Sequence, residues 1–266
     1  MRYSKFVIGL LLLHGFWGLS CKEKNKTVVD KEESTPLIVE QKAANLDISP
    51  IEHATAVLDW DGTIIYIDPV GGKEAFVSYK EPDLILITDI HGDHFSLETL
   101  QSLNTQKAKI VVPQAVADLI PSEFTPQLDI LDNSSSKVRF GINIEAIPMY
   151  NLREEAKNFH IKGRGNGYVL SKNDQRIYFS GDTEDIPEMR SLQNIDKAFI
   201  CMNLPYTMTV ESAADAVLDF KPKQVYPYHY RGKTDVGDVA KFKKLVNDKN
   251  SNIEVVQLDW YPREDY

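Results

Sequence analysis

The segment LILITDIHGDHF, residues 84–95, decides both the fold and the chemistry predicted for this chain. Its first half is apolar or β-branched, which is typical of a strand buried on both faces. Its second half places Asp89, His91, Asp93 and His94 within six residues, directly after that strand. Loops at strand ends are where sheet proteins gather ligand-binding residues. Imidazole nitrogens and carboxylate oxygens are ligands for a divalent metal ion such as zinc.

Two further histidines, His160 and His229, also fall near predicted strand ends. An isolated histidine is more often a packing or surface residue, so each of them is weak evidence alone. The packed motif is stronger evidence than a plain polar loop, because two imidazoles with a carboxylate between them cost stability unless something binds them. Gly92 is expected to let this loop turn back tightly. The residues that share a place at strand ends are His91, His94, His160, Asp182 and His229.

The alternation of apolar segments predicts an α+β fold. Asp61-Gly62 and Asn173-Asp174 are turn residues between pairs of apolar strands, which indicates two antiparallel hairpins. Elsewhere strands alternate with helices, and Ser96 is the expected N-cap of the first helix. Hairpins combined with strand-helix units favour two sheets packed face to face with helices outside.

The N-terminal region is predicted to be separate from the folded domain. Residues 1–20 have a basic start and an apolar run shorter than the ~20 residues of a spanning helix, which is typical of a secretory signal peptide. Cys21 follows at once and resembles the cysteine of a bacterial lipoprotein cleavage box; an ordinary signal peptide that discards Cys21 is the alternative. Residues 21–45 are charged and polar, which favours a lipidated tether over a helical extension. The domain is predicted to be residues 46–266.

Composition limits the partners. The 266 residues have a net charge of −9, and cleavage after residue 20 removes two basic residues and no acidic one, giving −11. Such a surface repels nucleic acid and anionic lipid. We therefore expect a small-molecule substrate, and contact with a membrane only through the N-terminal lipid anchor of an exported periplasmic or outer-membrane lipoprotein. The sequence leaves the oligomeric state open.

Several segments resemble the metallo-β-lactamase superfamily, whose main motif is His-x-His-x-Asp-His. IEHATAVLDWDGTIIYIDP (51–69) resembles the opening hairpin of the branch that includes ascorbate-6-phosphate lactonase-like proteins and N-acylphosphatidylethanolamine phospholipase D. FSGDT (179–183) resembles the Gly-Asp-Thr motif, and YPYHY (226–230) the terminal histidine motif. The resemblance covers residue 51 to the C-terminus and implies a single-domain αββα sandwich.

The resemblance implies a first metal ion bound by His91 and His160. Asp89 stands where the family motif has its first histidine. Three interpretations remain open: Asp89 binds the first ion through oxygen, it orients a histidine ligand, or the first site is weak and the protein works with one ion. We favour ligation, which gives a site able to accept Mn²⁺ or Fe²⁺ as well as Zn²⁺.

The resemblance implies a second metal ion bound by Asp93, His94 and His229. Asp182 matches the carboxylate that bridges the two ions. Asp93 would also orient the nucleophile and move its proton, which makes it the predicted catalytic residue.

The predicted function is a metal-dependent hydrolase in which a metal-bound hydroxide attacks an ester, lactone or phosphodiester. Two divalent ions, preferably Zn²⁺, would supply that hydroxide and hold the developing negative oxygen. The alternative is a non-catalytic binding or sensing lipoprotein that keeps the fold. A diiron redox protein is disfavoured, because such relatives carry a Glu in the main motif where this chain has Gly92-Asp93.

Other polar residues are candidates for the rim of the site. Lys162 and Arg164 follow His160 and could bind a phosphate or carboxylate of the substrate. His53 either touches the site or makes a structural hydrogen bond. Asp68 is expected to support the main motif loop and not to bind metal. Substrate contacts are predicted for Asn203, Tyr206, Tyr228 and Arg231, against packing roles for each.

Overall fold

The computed structural model describes residues 45–262, and the first of its two sheets has six strands in chain order. These are β1 (Leu46–Glu52), β2 (Thr55–Trp60), β3 (Thr63–Ile67), β4 (Leu84–Leu86), β5 (Lys109–Val112) and β6 (Leu128–Ile130). Strands β1–β3 pair antiparallel, and β3–β6 pair parallel. The predicted signal peptide and Cys21 lie outside the described residues, as does the predicted tether except Asn45.

The second sheet has seven strands in the order β13-β12-β11-β10-β9-β8-β7. They are β7 (Ser136–Arg139), β8 (Ile142–Met149), β9 (Gly165–Lys172), β10 (Gln175–Phe179), β11 (Lys197–Ile200), β12 (Gln224–Pro227) and β13 (Glu254–Val255). Strands β7–β10 pair antiparallel, and β10–β13 pair parallel.

Both predicted hairpins are present. Asp61 and Gly62 connect β2 to β3 with φ of 49° and 84°, and Asn173 and Asp174 connect β9 to β10 with φ of 50° and 62°. A type I′ turn needs positive φ at both central residues, and its twist matches the twist of the strands it joins. These two turns therefore fix the register of the antiparallel parts of both sheets.

The helices cover the outer faces of the two sheets. Leu84 and Leu86 of β4 belong to the core between the sheets, whereas Ile85 points to the outer face of the first sheet and packs with Leu100 and Val116. This alternation follows from the two-residue period of a strand. The helices are α1 (Leu97–Ser102), α2 (Gln114–Ala117), α3 (Pro187–Arg190), α4 (Val210–Phe220) and α5 (Val239–Lys249).

The helices of the second sheet complete the sandwich. Val217 of α4 and Phe242 of α5 are buried in the large core cluster with Phe199 of β11. Ser96 caps α1, since its hydroxyl accepts a hydrogen bond of 3.1 Å from the Thr99 amide. The predicted αββα sandwich is confirmed. Between residues 45 and 262, no helix is long and apolar enough to cross a membrane.

Candidate metal centre

The candidate ligands meet at one edge of the two sheets. Asp89 and His94 follow β4, Asp182 follows β10, and His229 follows β12. His160 comes from the loop between β8 and β9. Because β4, β10 and β12 all take part in parallel pairs, their carboxyl ends open toward loops where ligands gather.

These residues form two groups whose potential ligand atoms lie within 4.8 Å of one another. All but His91 and Asp93 are buried, and those two are half-buried or at the rim. The first group is Asp89, His91 and His160, and the second group is Asp93, His94, Asp182 and His229.

The second group has the geometry of a metal site. The Nε2 atoms of His94 and His229 are 3.1 Å apart, with the rings stacked at 4.9 Å. A metal ion that binds two imidazoles tetrahedrally at ~2.0–2.1 Å sets their nitrogen atoms ~3.3 Å apart. Asp182 Oδ1 lies 3.5 Å from His94 Nε2 and 3.4 Å from His229 Nε2. Asp93 Oδ2 is 3.3 Å from His229 Nε2.

Asp182 faces both groups. Its Oδ2 lies 3.3 Å from Nε2 of His160, while its Oδ1 faces the second group. Asp182 Oδ1 and His160 Nε2 are buried and have no hydrogen-bond partner among the described residues. Buried polar atoms are nearly always satisfied, so an unpaired acceptor in each group fits a cation bound beside it. The residues present therefore fit a metal centre.

Residues behind the ligands fix which nitrogen faces the centre. Nδ1 of His94 lies 2.8 Å from Asp68 Oδ2, and both oxygens of Asp68 accept hydrogen bonds from Thr88, at 2.7 and 2.6 Å. Nδ1 of His160 lies 3.2 Å from the carbonyl oxygen of Tyr206. Each contact suits an Nδ1–H donor, which leaves Nε2 with its lone pair toward the metal centre.

The buried carboxylate of the second group needs positive charge beside it. Burial alone lowers the pKa of His94, but the carboxylates of Asp182, Asp68 and Asp93 raise it well above its ordinary value. Burial raises the pKa of Asp182, yet the neighbouring His229 and His94 hold it well below its ordinary value. The Asp182 carboxylate thus remains charged although buried, and positive charge, from an imidazolium or a metal ion, must compensate it.

Asp89 makes the first group different. Its carboxylate is fully buried, with Oδ2 2.8 Å from His91 Nδ1. Arg164 donates from Nε to Oδ1 at 3.2 Å and from Nη2 to Oδ2 at 3.0 Å. Burial raises the pKa of Asp89, but the hydrogen bond from His91 and the charges of His94, His91 and Arg164 lower it below its ordinary value. Asp89 is therefore both a potential ligand and the partner of a cation within the chain.

His53 also belongs to the site, which the sequence left open. Its ring centroid lies 3.7 Å from that of His229, and its Nε2 is 3.4 Å from Asp93 Oδ2. Its Nδ1 lies 2.7 Å from the hydroxyl of Tyr261. Burial lowers the pKa of His53 to about 4, so the ring is neutral at physiological pH. The signal in the sequence was its place at the start of the first hairpin.

Two of the predicted substrate contacts, Tyr228 and Asn203, have hydrogen-bond partners inside the fold. Tyr228 is fully buried, and its hydroxyl accepts a hydrogen bond of 2.9 Å from the Gly181 amide, so it supports the turn that carries Asp182. Asn203 is 2% exposed, and its side-chain oxygen accepts a hydrogen bond from the hydroxyl of Thr207. Both side chains are therefore used inside the fold.

The remaining rim residues have other partners. The ring of Tyr206 packs edge-on against Phe159 with 5.0 Å between centroids. The guanidinium of Arg231 lies 4.8 Å above the ring of Tyr261. Lys162 pairs with Glu188 at 2.8 Å. As substrate contacts, Asn203, Tyr206, Tyr228 and Arg231 remain predictions.

The prediction that Gly92 lets the motif loop turn tightly is wrong. Its φ is not in the positive range that favours glycine, and a Cβ added there meets no heavy atom within 4 Å. The motif loop turns instead through hydrogen bonds from the amides of His94 and Phe95 to the His91 carbonyl, at 3.0 and 2.8 Å.

A face-to-face pair of sheets with this histidine–aspartate centre at one edge defines the metallo-β-lactamase fold class. The family model described as a beta-lactamase superfamily domain matches residues 47–229. The chain belongs to this family, which confirms the resemblance seen in its motifs.

Relatives and solved structures agree with this assignment. A UPF0173 metal-dependent hydrolase of Pyrococcus abyssi is 31% identical over 195 residues, which are 70% of this chain and 85% of the relative. A crystal structure of a protein from Parabacteroides distasonis, named as a candidate metal-dependent hydrolase, has 35% identity and a TM-score of 0.72, covering 80% of this chain and 93% of that one. The metallo hydrolase Igni18 of Ignicoccus hospitalis, at 22% identity and a TM-score of 0.65, covers 80% of this chain and 94% of its own and shows the fold alone.

Proposed function

We propose that this chain is a metal-dependent hydrolase acting on the carbonyl carbon or phosphorus of a small ester, lactone or phosphodiester. The observation that carries the proposal is the second group, where two imidazole nitrogens 3.1 Å apart face a buried carboxylate. A bound divalent ion lowers the pKa of water from ~15.7 toward neutrality and so supplies hydroxide at ambient pH. The names of the relatives from Pyrococcus abyssi and Parabacteroides distasonis support a hydrolase.

Residues of the chain would divide the work of the reaction. His94, His229 and Asp182 would hold the ion of the second group, and Asp182 also faces the first group, which supports a centre of two ions. Asp93 is 44% exposed and lies at the rim of the second group, so it can orient the nucleophile and take its proton. His53, beside the Asp93 carboxylate, holds that carboxylate in place.

The metal is proposed to be Zn²⁺. Imidazole and carboxylate together suit zinc, whereas a first group that includes the Asp89 carboxylate also accepts Mn²⁺ or Fe²⁺. Asp89 is proposed as a ligand of that first ion, with His91 and His160. Metal analysis of the purified protein distinguishes these ions directly.

The test is metal content per chain by elemental mass spectrometry, combined with hydrolysis of chromogenic ester, lactone and phosphodiester substrates. We expect close to two ions per chain, one ion in Asp89→Ala, and loss of hydrolysis in His94→Ala. Exposed Asp47→Asn, on β1, serves as the control that retains both metal and activity. No bound metal after Zn²⁺ or Mn²⁺ is supplied contradicts the proposal and favours the non-catalytic binding lipoprotein.

We further propose that the protein is exported and anchored by a lipid on Cys21, a proposal that rests on the sequence of residues 1–21. Acidic composition after this segment fits attachment through the lipid alone. Fractionation of cells that express the full chain tests it: the protein is expected with membranes, and Cys21→Ser in the soluble fraction. Equal distribution of the two forms contradicts the anchor.

A further inference from the structure

Arg164 places a permanent positive charge against two of the three candidate ligands of the first group. Its Nε and Nη2 donate to the two oxygens of Asp89 at 3.2 and 3.0 Å. The same Nη2 lies 3.4 Å from His91 Nε2. The guanidinium therefore occupies the neighbourhood that an ion held by Asp89 and His91 would share.

The backbone builds this position into the fold. Gly163 has φ of +88°, which turns the chain just before Arg164. The amide of Asn166 donates to the carbonyl of Thr88 at 3.0 Å, so the start of β9 is tied to the residue before Asp89. Arg164 also donates to the Phe159 carbonyl, and its side chain is only 17% exposed. The pair is thus held by several contacts and is more than a surface ion pair.

The two groups consequently differ in the charged side chains that surround an incoming metal ion. In the second group, the carboxylates of Asp93 and Asp182 contact the imidazole of His229, which is itself a candidate ligand. In the first group, the partner of Asp89 is a guanidinium, which cannot bind a metal ion and keeps its positive charge. In the first group the charge of Arg164 offsets that of Asp89 and repels a dication, so the ion must displace Arg164 or bind against its charge.

We propose that Arg164 makes the two groups fill in order, the second group first and the first group only when Arg164 releases Asp89. This inference rests on the proposed function, because it concerns the same metal centre. At limiting metal the protein holds one ion, and Arg164 supplies the positive charge of the first group. Arg164 can take the place of the metal ion's charge because Asp89 is a carboxylate. The family motif has a neutral histidine at this position.

The experiment is a titration of the metal-free full chain with Co²⁺, followed by absorption, with the bound cobalt counted at each step by elemental analysis. The unsubstituted chain is expected to bind two ions in steps whose dissociation constants differ by about 10-fold or more, within the usual range of coupling between sites. Arg164→Gln keeps a hydrogen-bond donor without charge, and we expect it to tighten the weaker step about 10-fold and leave the tighter step unchanged. Arg164→Lys keeps the charge and is expected to keep two separated steps.

Arg139 offers a matched control. It makes the same bidentate contact, since its Nε and Nη2 donate to the buried carboxylate of Asp129 at 2.6 and 2.7 Å. Neither Arg139 nor Asp129 belongs to the candidate metal centre. Arg139→Gln is expected to leave both steps as they are. This control separates a general cost of losing a buried ion pair from the specific effect on the first group.

The outcomes distinguish the two proposals. Two ions bound with indistinguishable affinities by the unsubstituted chain overturn the ordered filling and leave the hydrolase intact; this result is available even where Arg164→Gln fails to fold. An unchanged weaker step in folded Arg164→Gln overturns it as well. No cobalt bound by any form overturns the proposed function, and this inference with it.

Discussion

At the scale of single residues, Asp68 orients His94, a candidate metal ligand that lies 26 residues further along the chain. Its carboxylate is fully buried and is held by the amide and hydroxyl of Thr88, so its position is fixed before any metal binds. The contact with Nδ1 of His94 sets the ring so that Nε2 faces the second group. Carboxylates in this position also raise the basicity of the histidine they contact.

Asp68→Asn is therefore expected to weaken metal binding at the second group by about 10–100-fold. The amide keeps the shape of the side chain but loses the charge that orients and polarises His94. Competition with a chromogenic chelator measures the change. Asp47→Asn removes an exposed carboxylate from β1 and is expected to bind metal normally. An unchanged affinity in Asp68→Asn would show that the fold alone orients His94.

The sequence predicts the proximity of some residues of the candidate metal centre and not of others. His91, Asp93 and His94 stand in one segment, so their proximity follows from the chain itself. Arg164 and Asp89 are 75 residues apart, and their pairing depends on where β9 begins beside β4, which local patterns do not specify. The same limit applies to Tyr228, whose contact with the Gly181 amide the sequence did not predict. The end of β12 was predictable, but the direction of a side chain after a strand is set by tertiary packing.

At the scale of elements, the tight turns were predictable and the shortest elements were not. Asp61-Gly62 and Asn173-Asp174 carry their backbone conformation in their residue types, because few other residues accept positive φ. The three-residue strand β6 and the four-residue helix α3 have no period long enough to detect. Their conformations come from neighbours, as when β6 pairs with β5.

The β2–β3 turn allows a direct test of this argument. Gly62 has φ of +84°, and a Cβ added there meets no heavy atom within 4 Å, so Gly62→Ala adds backbone strain without a steric clash. The substitution is expected to lower the free energy of unfolding by about 1–2 kcal/mol. Denaturant midpoints at an unchanged m-value measure the loss.

Gly92→Ala is the matched control for that substitution. A Cβ added at Gly92 also meets no heavy atom within 4 Å, but φ there is not in the positive range. The free energy of unfolding is therefore expected to stay within about 0.5 kcal/mol of the original. Equal losses in the two variants would mean that turn conformation does not explain the cost at Gly62.

At the scale of the whole molecule, the core between the sheets isolates a single thiol. Cys201 is fully buried after β11, and its Sγ donates to the Thr183 carbonyl at 3.4 Å. Burial raises the pKa of this thiol from 9.0 to about 12. The thiol lies in the core that joins both sheets, so it becomes exposed when the sandwich itself opens. Its ionisation is therefore linked to global unfolding.

The sign of this linkage gives a pH dependence of stability. Below pH 9 the thiol is neutral in both states and its contribution is complete; above pH 9 the unfolded chain loses the proton first, so stability falls until about pH 12. The full loss attributable to Cys201 is about 4 kcal/mol. The measurement is the free energy of unfolding between pH 8 and 11, for a chain carrying Cys21→Ser and again with Cys201→Ala added. The difference between the two curves gives the contribution of the Cys201 thiol. We expect the first chain to lose stability more steeply with pH, because tyrosines and lysines titrate alike in both. Parallel curves would mean that the thiol reaches solvent in the folded state, and with it that the core near Asp182 and Thr183 opens without unfolding of the whole domain.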